Sequence, residues 1–306
     1  MYHYPLLNIV IVCELDQLTC KYNLMVWYTR DCCDHYLTSR FVIFLSHVTP
    51  LQPGLSTAGA IFTYAGNGMR GVTGDGRQAT TAFFESPQGM SVDSVTGNLY
   101  VVDTYRVLRM INKTTGIITC VAGGGYTKSR GDGGLAVLAT LFASNDVAID
   151  PLNGNIYITD YSTIRMVTKI TGIITTIAGN SARSGYAGDG GLATLATLSS
   201  PKGIDVDPNT GDLYIADSRN HAVRMIKRST GIISTIAGTG EGGYAGDGGP
   251  ATSAKLNVPY SVMLDASSSM MYIADQNNYV VRNIVLTPTT AVYSPSMAPT
   301  GTGIVK

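Results

Sequence analysis

Hydrophobic and polar residues alternate in short segments through most of this chain, and residues 201–237 show the pattern most clearly. Ile204 and Val206 fall on one side of a first segment, and Leu213 and Ile215 on one side of a second. This period of two is typical of half-buried β-strands. The intervening sequences, such as Asp-Pro-Asn-Thr-Gly, are turn formers. The pattern therefore predicts a unit of four short antiparallel strands joined by tight turns.

The same unit recurs along the chain at a fixed period. Two aspartates mark it, one inside a Gly-Asp-Gly sequence and one closing a Tyr-x-x-Asp sequence, and both recur at spacings of about 57 residues. The Gly-Asp-Gly aspartates are Asp75, Asp132, Asp189 and Asp247. Full sets of four strands are predicted within 87–122, 144–178 and 201–237, and three strands at 259–264, 270–274 and 279–285. Tandem four-stranded units of this size predict an all-β fold, a β-propeller with four recognisable blades.

The repeat divides the chain into three parts. Residues 58–286 form the predicted propeller, and residues 287–306 are a tail rich in Thr, Pro and Ser. Residues 1–57 lack the repeat and are predicted to be a non-repeat extension with poor order. No apolar run there approaches the roughly 18 to 20 residues that a membrane span requires, so no membrane span is predicted.

The first repeat begins with its last strand. Residues 60–65, AIFTYA, align with the fourth strand IISTIA at 232–237. We expect residues 60–65 to complete the three-stranded last blade and close a ring of four blades, since this would remove two exposed sheet edges. Thr290 to Ser294 is the competing fourth strand. In the alternative, the four blades form a partial arc of a larger propeller, and an open ring would allow self-association.

An aspartate and an arginine recur in every blade. The aspartates at the end of the second strand are Asp103, Asp160, Asp217 and Asp275, and the arginines on the third strand are Arg109, Arg165, Arg224 and Arg282. A catalytic group is needed once, whereas these residues occur in each unit, so we interpret them as structural. We expect each carboxylate to accept backbone N–H groups of its own turn and each guanidinium to pair with it or with the adjacent blade.

The glycine-rich loops between blades are the candidate binding surface, because propellers present these connections on one face. Their tyrosines and aspartates are the candidate contacts: Tyr126, Asp132, Tyr186, Asp189, Tyr244 and Asp247. A single carboxylate per loop is few for Ca²⁺, which takes six to eight oxygen ligands. A structural role for these aspartates is the main interpretation and a calcium contact the alternative, so no cofactor is predicted.

Charge and histidine content reduce the number of candidate functions. The chain has 21 basic and 21 acidic residues, and no basic patch typical of nucleic-acid binding stands out. His221 is the one histidine between residues 58 and 306, and we expect it to face solvent in a turn. Neither His221 nor the channel candidate Asp205 belongs to a cluster that would hold a catalytic metal. A nucleic-acid partner and a catalytic metal site are therefore both disfavoured.

The segments ADSRNHAVRMI, VDTYRVLRMI, TDYSTIRMVT and ADQNNYVVRNI resemble NHL repeats. The loop YAGDGGPAT resembles that of teneurin-type NHL repeats. The resemblance implies a propeller, usually of six blades, that acts as a non-catalytic scaffold for a protein or sometimes a glycan. It also implies an alternative, an enzyme of the lyase or lactonase type with a channel metal. The teneurin-like loops, the low charge and the Thr/Pro tail favour an extracellular or cell-surface location.

Overall fold

The computed structural model describes residues 60–103, 106–125 and 131–286. Fifteen strands form four antiparallel sheets, here called blades 1 to 4. Blade 1 contains β1 Pro87–Val92, β2 Leu99–Asp103, β3 Val107–Ile111 and β4 Ile118–Gly123. Blade 2 contains β5 Ser144–Ile149, β6 Ile156–Asp160, β7 Thr163–Val167 and β8 Ile174–Gly179. Blade 3 contains β9 Pro201–Val206, β10 Leu213–Asp217, β11 Ala222–Lys227 and β12 Ile232–Ala237. Blade 4 contains β13 Pro259–Leu264, β14 Met270–Asp275 and β15 Val280–Val285.

The all-β propeller fold predicted from the repeat is confirmed. Within each blade the strands follow one another in chain order, and the first strands β1, β5, β9 and β13 pack side by side. The described residues also contain six short 3₁₀ turns, the first before β1 and the others between strands: Ala79–Thr81, Ala136–Leu138, Ala193–Leu195, Ser218–Asn220, Ala251–Ser253 and Gln276–Asn278. No helix in the described ranges has the length and hydropathy of a membrane span.

The hydrophobic core lies between neighbouring blades. Alternate residues of one strand enter different layers: Ile158 of β6 packs with Val102 of blade 1, whereas Tyr157 packs with Ile215 of blade 3. This is the period-two pattern of the sequence expressed as two buried sheet faces. Burying one such aliphatic side chain contributes roughly 1.5–3 kcal/mol. Because many of these side chains lie between blades, blades 2 and 3 are stabilised mainly by contacts with the blade on each side.

Each Gly-Asp-Gly sequence packs its first glycine against an alanine. Gly188 has φ +97°, and a Cβ atom there would lie 2.6 Å from the Cα atom of Ala196. Gly190, the second glycine, has open space on the corresponding side. Glycine is therefore needed at this first position for two reasons: it permits the close backbone contact and it adopts the left-handed conformation.

Blade 4 has three strands in the described residues, as the repeat predicts, but its expected closure by residues 60–65 is wrong for a single chain. These residues form no strand, and Ala65 packs beside Val101 and Ile111 of blade 1. The Gly66 N–H donates to Ala79 O at 2.8 Å, just as the Gly238 N–H donates to Ala251 O at 3.0 Å where the fourth strand of blade 3 meets blade 4. The end of this segment thus has the position of a fourth strand that precedes blade 1, and blade 4 lies at the other end of the row of blades.

Candidate interaction face

The third-strand arginines bind the aspartates of the Gly-Asp-Gly loops. Arg165 and Arg224 have no exposed side-chain surface, and Arg109 is nearly as buried. The Nη2 to Oδ1 distances are 3.0 Å for Arg109 and Asp75, 2.7 Å for Arg165 and Asp132, 2.7 Å for Arg224 and Asp189, and 2.6 Å for Arg282 and Asp247. Each loop is thereby attached to a sheet through a charge-assisted contact. The loop aspartates retain an exposed part, 45% for Asp189.

The second-strand aspartates are fully buried and join the start and the middle of their blade. Asp217 accepts the Ser199 N–H at 2.7 Å and the Asn220 amide at 2.7 Å, and lies 3.4 Å from Arg224 Nη1. Burial raises the pKa of Asp217 to about 6, although these three donors act in the opposite direction.

We expected these aspartates to accept N–H groups of the turn that follows them. The backbone donors come instead from the segment before the first strand. Asp103 shows this most simply, because it accepts the N–H groups of Glu85 and Ser86 at 2.8 and 2.7 Å. The aspartates that do cap their own turns are those after the first strand. Asp93 is an example, since it accepts the Val95 N–H at 2.9 Å.

Two of the candidate tyrosines stack on the same arginines. The Arg224 guanidinium lies 5.2 Å from the ring centroid of Tyr186, and that of Arg282 lies 5.3 Å from the ring of Tyr244. The exposed fractions of the two tyrosines are 41% and 60%. Each ring therefore has one side engaged and a substantial part open to a partner. Tyr126 lies outside the described residues.

The glycine-rich loops run from the fourth strand of one blade to the first strand of the next. They lie at the same end of the propeller as the turns between second and third strands, since the chain reverses direction at each strand. Side-chain contacts connect the two: the Asn220 amide donates to Gly185 O at 2.6 Å, and the Asn278 amide donates to Gly243 O at 2.7 Å. We call this end the loop face. Hydrogen bonds between the turns and the loops hold this face together.

The loop face carries residues that sequence reasoning missed. Tyr161, directly after β6, and Tyr279, directly before β15, both have positive φ, 57° and 59°, and 53% and 94% of their surface is exposed. Arg106 and His221 hold the same left-handed position as Tyr279, directly before the third strand, in blades 1 and 3. Bulky residues at positive φ are uncommon and cost conformational energy, so these exposed residues are candidates for a functional role. A single residue in a two- to four-residue turn offers no periodic signal by which to find it.

The His221 side chain differs from its prediction, because it is half-buried and its Nδ1 accepts the Val258 N–H at 3.2 Å. This contact links the turn of blade 3 to the start of blade 4. The described parts of the chain contain no group of three or more His, Cys, Asp or Glu residues placed to hold a metal ion.

A second polar set lies on the first strands: Asp205, the channel candidate from the sequence, and Asp146, which sequence reasoning missed. Asp146 accepts the backbone N–H of Ile204 at 3.1 Å, and Asp205 accepts that of Leu264 at 2.7 Å. Burial raises the pKa of Asp146 to about 6 and also raises the pKa of Asp205. Each carboxylate thus connects two neighbouring blades near the centre of the propeller.

The tandem sheets, with their repeated Asp–Arg contacts, define a β-propeller protein whose repeats are similar to NHL repeats. Its likeness is to the teneurins: the model of the Teneurin NHL domain matches residues 181–242. Teneurin-1 of Mus musculus is 28% identical over 232 residues, which cover 69% of this chain and 8% of teneurin-1. NHL repeat-containing protein 2 of Bos taurus is 31% identical over 104 residues, covering 34% of this chain and 14% of that protein.

A solved structure supports the fold. A structural genomics protein of unknown function from Bacteroides thetaiotaomicron superposes with a TM-score of 0.52 at 21% identity, covering 65% of this chain and 47% of that one. This chain therefore shares its propeller architecture with a protein of low sequence identity.

Proposed function

We propose that this chain is a non-catalytic scaffold that binds a protein partner through the loop face, with a glycan as the alternative ligand. The observation that carries the proposal is the set of exposed tyrosines at that face, Tyr161, Tyr244 and Tyr279. Tyrosine supplies a large contact area at low conformational-entropy cost and is enriched at binding hot spots.

The rigidity of the face supports the same proposal. Tyr244 is held by its stacking on Arg282 and by a hydrogen bond from its hydroxyl to Asp247 at 3.2 Å. Tyr186 is held in the same way, with its hydroxyl 2.9 Å from Thr235 Oγ1. Side chains that are already ordered lose little entropy on binding, so more of the contact energy contributes to affinity.

The proposal is tested with the full chain on arrays of purified extracellular proteins and of glycans. The affinity for each hit is then measured for Tyr161→Ser, Tyr244→Ser and Tyr279→Ser. Leu152→Ser and Ile170→Ser are matched controls, since both residues are exposed in turns at the opposite end of the blades. Each tyrosine variant is expected to weaken binding about tenfold or more, and the controls to leave it unchanged.

Two results would contradict the proposal. One is a partner whose affinity depends on Leu152 or Ile170 and is insensitive to all three tyrosines. The other is zinc or calcium that copurifies at one ion per chain and resists dialysis, since a tightly held metal favours the lyase or lactonase alternative.

A further inference from the structure

The fourth strand of blades 1 to 3 occupies a defined position between the third strand and the preceding Gly-Asp-Gly loop. In blade 3, Ile233 O accepts the Gly190 N–H at 2.8 Å, and the Ile233 N–H donates to Gly191 O at 3.0 Å. Gly231 O accepts the Ala193 N–H at 2.9 Å. Blades 1 and 2 repeat these bonds through Ile118 and Ile174. The fourth strand is therefore bonded along both of its edges.

In blade 4 the same position is an open groove between β15 and the loop 246–251. Its lining includes Tyr244, Ala251, Val281 and Ile284. Within the described residues, the N–H groups of Gly248 and Ala251 make none of the bonds that their counterparts make in blades 1 to 3. The groove thus presents a sheet edge and a loop edge, both with backbone groups that need a strand.

Residues 60–65 have the sequence of that strand but are unpaired in the structure. The isoleucines at its second position, Ile118, Ile174 and Ile233, are 0% exposed, whereas Ile61 is 97% exposed. Phe62 and Tyr64 are also exposed, at 55% and 47%. Within the described residues, one chain therefore contains a strand sequence without a sheet and a sheet without its last strand.

The two terminal blades expose complementary apolar sides next to these elements. Val281 of blade 4 is 71% exposed, although its counterparts Leu108, Ile164 and Val223 are 0% exposed because the next blade covers them. On blade 1, Met90 is 62% exposed, although equivalent positions in the other blades are buried beneath the preceding blade. Each terminal blade lacks the neighbour that the other terminal blade would supply.

Charges at the opposite end of the blades are also complementary. Lys169 of blade 2 lies 3.5 Å from Asp93 of blade 1, and Arg228 of blade 3 lies 3.3 Å from Asp150 of blade 2. The next blade thus supplies a cation to the turn aspartate of the blade before it. Lys113 of blade 1 and Asp265 of blade 4 are the corresponding residues at the two ends.

We propose that a second copy of this chain fills the groove: residues 60–65 of one copy form the fourth strand of blade 4 of another. Blade 1 of the first copy then packs on blade 4 of the second, with the register of blade 3, which places Ile61 opposite Ile284 as Ile233 stands opposite Ile226. The contact is head to tail, so it joins two different surfaces and continues until the assembly closes.

The test uses the full chain in light scattering coupled to size exclusion, over a range of concentrations. The wild-type mass is expected to reach at least twice the 32.4 kDa of one chain. Ile61→Asp disables the strand and Val281→Asp disables the groove, and each variant is expected to halve the mass or reduce it further. Ile170→Asp and Val95→Asp are matched controls, because these residues are 93% and 78% exposed in turns. The controls should keep the wild-type mass, and thermal unfolding checks that all four variants fold.

Mixing the two disabled variants identifies the contact as intermolecular. Ile61→Asp retains an intact groove and Val281→Asp retains an intact strand, so an equimolar mixture is expected to form a complex of one chain of each. A wild-type chain that is monomeric at all concentrations would overturn the proposal, including one that fills the groove with its own residues. Disabled variants that associate by themselves, or that fail to combine with each other, would overturn it as well.

Discussion

Arg224 and Asp189 are 35 residues apart in the chain, yet Nη2 of the arginine lies 2.7 Å from Oδ1 of the aspartate. The arginine side chain has no exposed surface, while the aspartate is 45% exposed. The pair attaches a surface loop to the middle of a sheet. Because the same pair recurs in each blade, it is a structural element of the repeat, and it holds the loop face on which the proposed function depends.

Replacing this arginine should be costly. Arg224→Met leaves the fully buried Asp217 without its cation, and breaking a buried ion pair in this way typically costs about 3–5 kcal/mol. We expect a loss of that size in the free energy of unfolding, measured by urea titration. Arg219→Met, at an exposed position of the same blade, is the control and should change stability by no more than about 0.5 kcal/mol. Equal effects of the two substitutions would refute the structural role of Arg224.

The two glycines of a Gly-Asp-Gly sequence should differ in their tolerance of alanine. Gly188→Ala adds a Cβ atom 2.6 Å from the Ala196 backbone, in addition to strain at φ +97°. Gly190→Ala meets no atom within 4 Å and carries the strain of φ +78° alone. We expect a loss of about 1 kcal/mol for Gly190→Ala and at least about twice that for Gly188→Ala, from thermal unfolding. The reverse order would contradict the close contact with Ala196.

Asp146 should make the protein more stable at mildly acidic pH. Its pKa is about 6 in the folded state against 3.8 for an ordinary aspartate, so the folded state binds the proton more tightly between these values. The contribution of Asp146 to the free energy of unfolding therefore rises as pH falls from 7 to 5, by on the order of 1 kcal/mol.

Urea titrations at pH 7 and pH 5 check this sign. Asp217, whose pKa burial also raises to about 6, contributes in the same direction. Asp146→Asn should therefore lose only its own share of the gain, on the order of 1 kcal/mol, and the exposed variant Glu241→Gln should retain the whole gain. Below about pH 4 the trend reverses, because turn hydrogen bonds lower the pKa values of Asp93 and Asp207, which then become protonated at a cost. An Asp146→Asn protein with the wild-type pH dependence would contradict the assignment to Asp146.

Calcium should leave the stability of the propeller unchanged. In the loops, Oδ1 of Asp132, Asp189 and Asp247 is engaged by an arginine, and Ca²⁺ takes six to eight oxygen ligands. We expect millimolar calcium and millimolar EDTA to give melting temperatures within about 1 °C of each other. A calcium-bound state would raise the melting temperature with concentration, since ligand binding to the folded form stabilises it.

The repeat, its strands and its core positions could be read from the sequence, because each follows from local chemistry. Alternating residues such as Ile204 and Val206 predicted a half-buried strand, and Asp-Pro-Asn-Thr-Gly predicted the turn after it. The period assigned the same structure to every copy. The predicted strand sets lie where the structure has β1–β4, β5–β8, β9–β12 and β13–β15.

The sequence by itself thus determined the blade: its four strands, its turns and the recurrence of Asp217 and Arg224 in every unit. Only the tertiary structure decided which residues meet although they are 35 residues apart in the chain, such as Arg224 with Asp189, and which turn residues face outward, such as Tyr279. It also decided that Ala65, at the end of the segment 60–65, packs beside blade 1. The physical reason is that strand formation depends on neighbours one or two residues apart, whereas closure and loop contacts depend on how whole sheets stack, which no local pattern encodes.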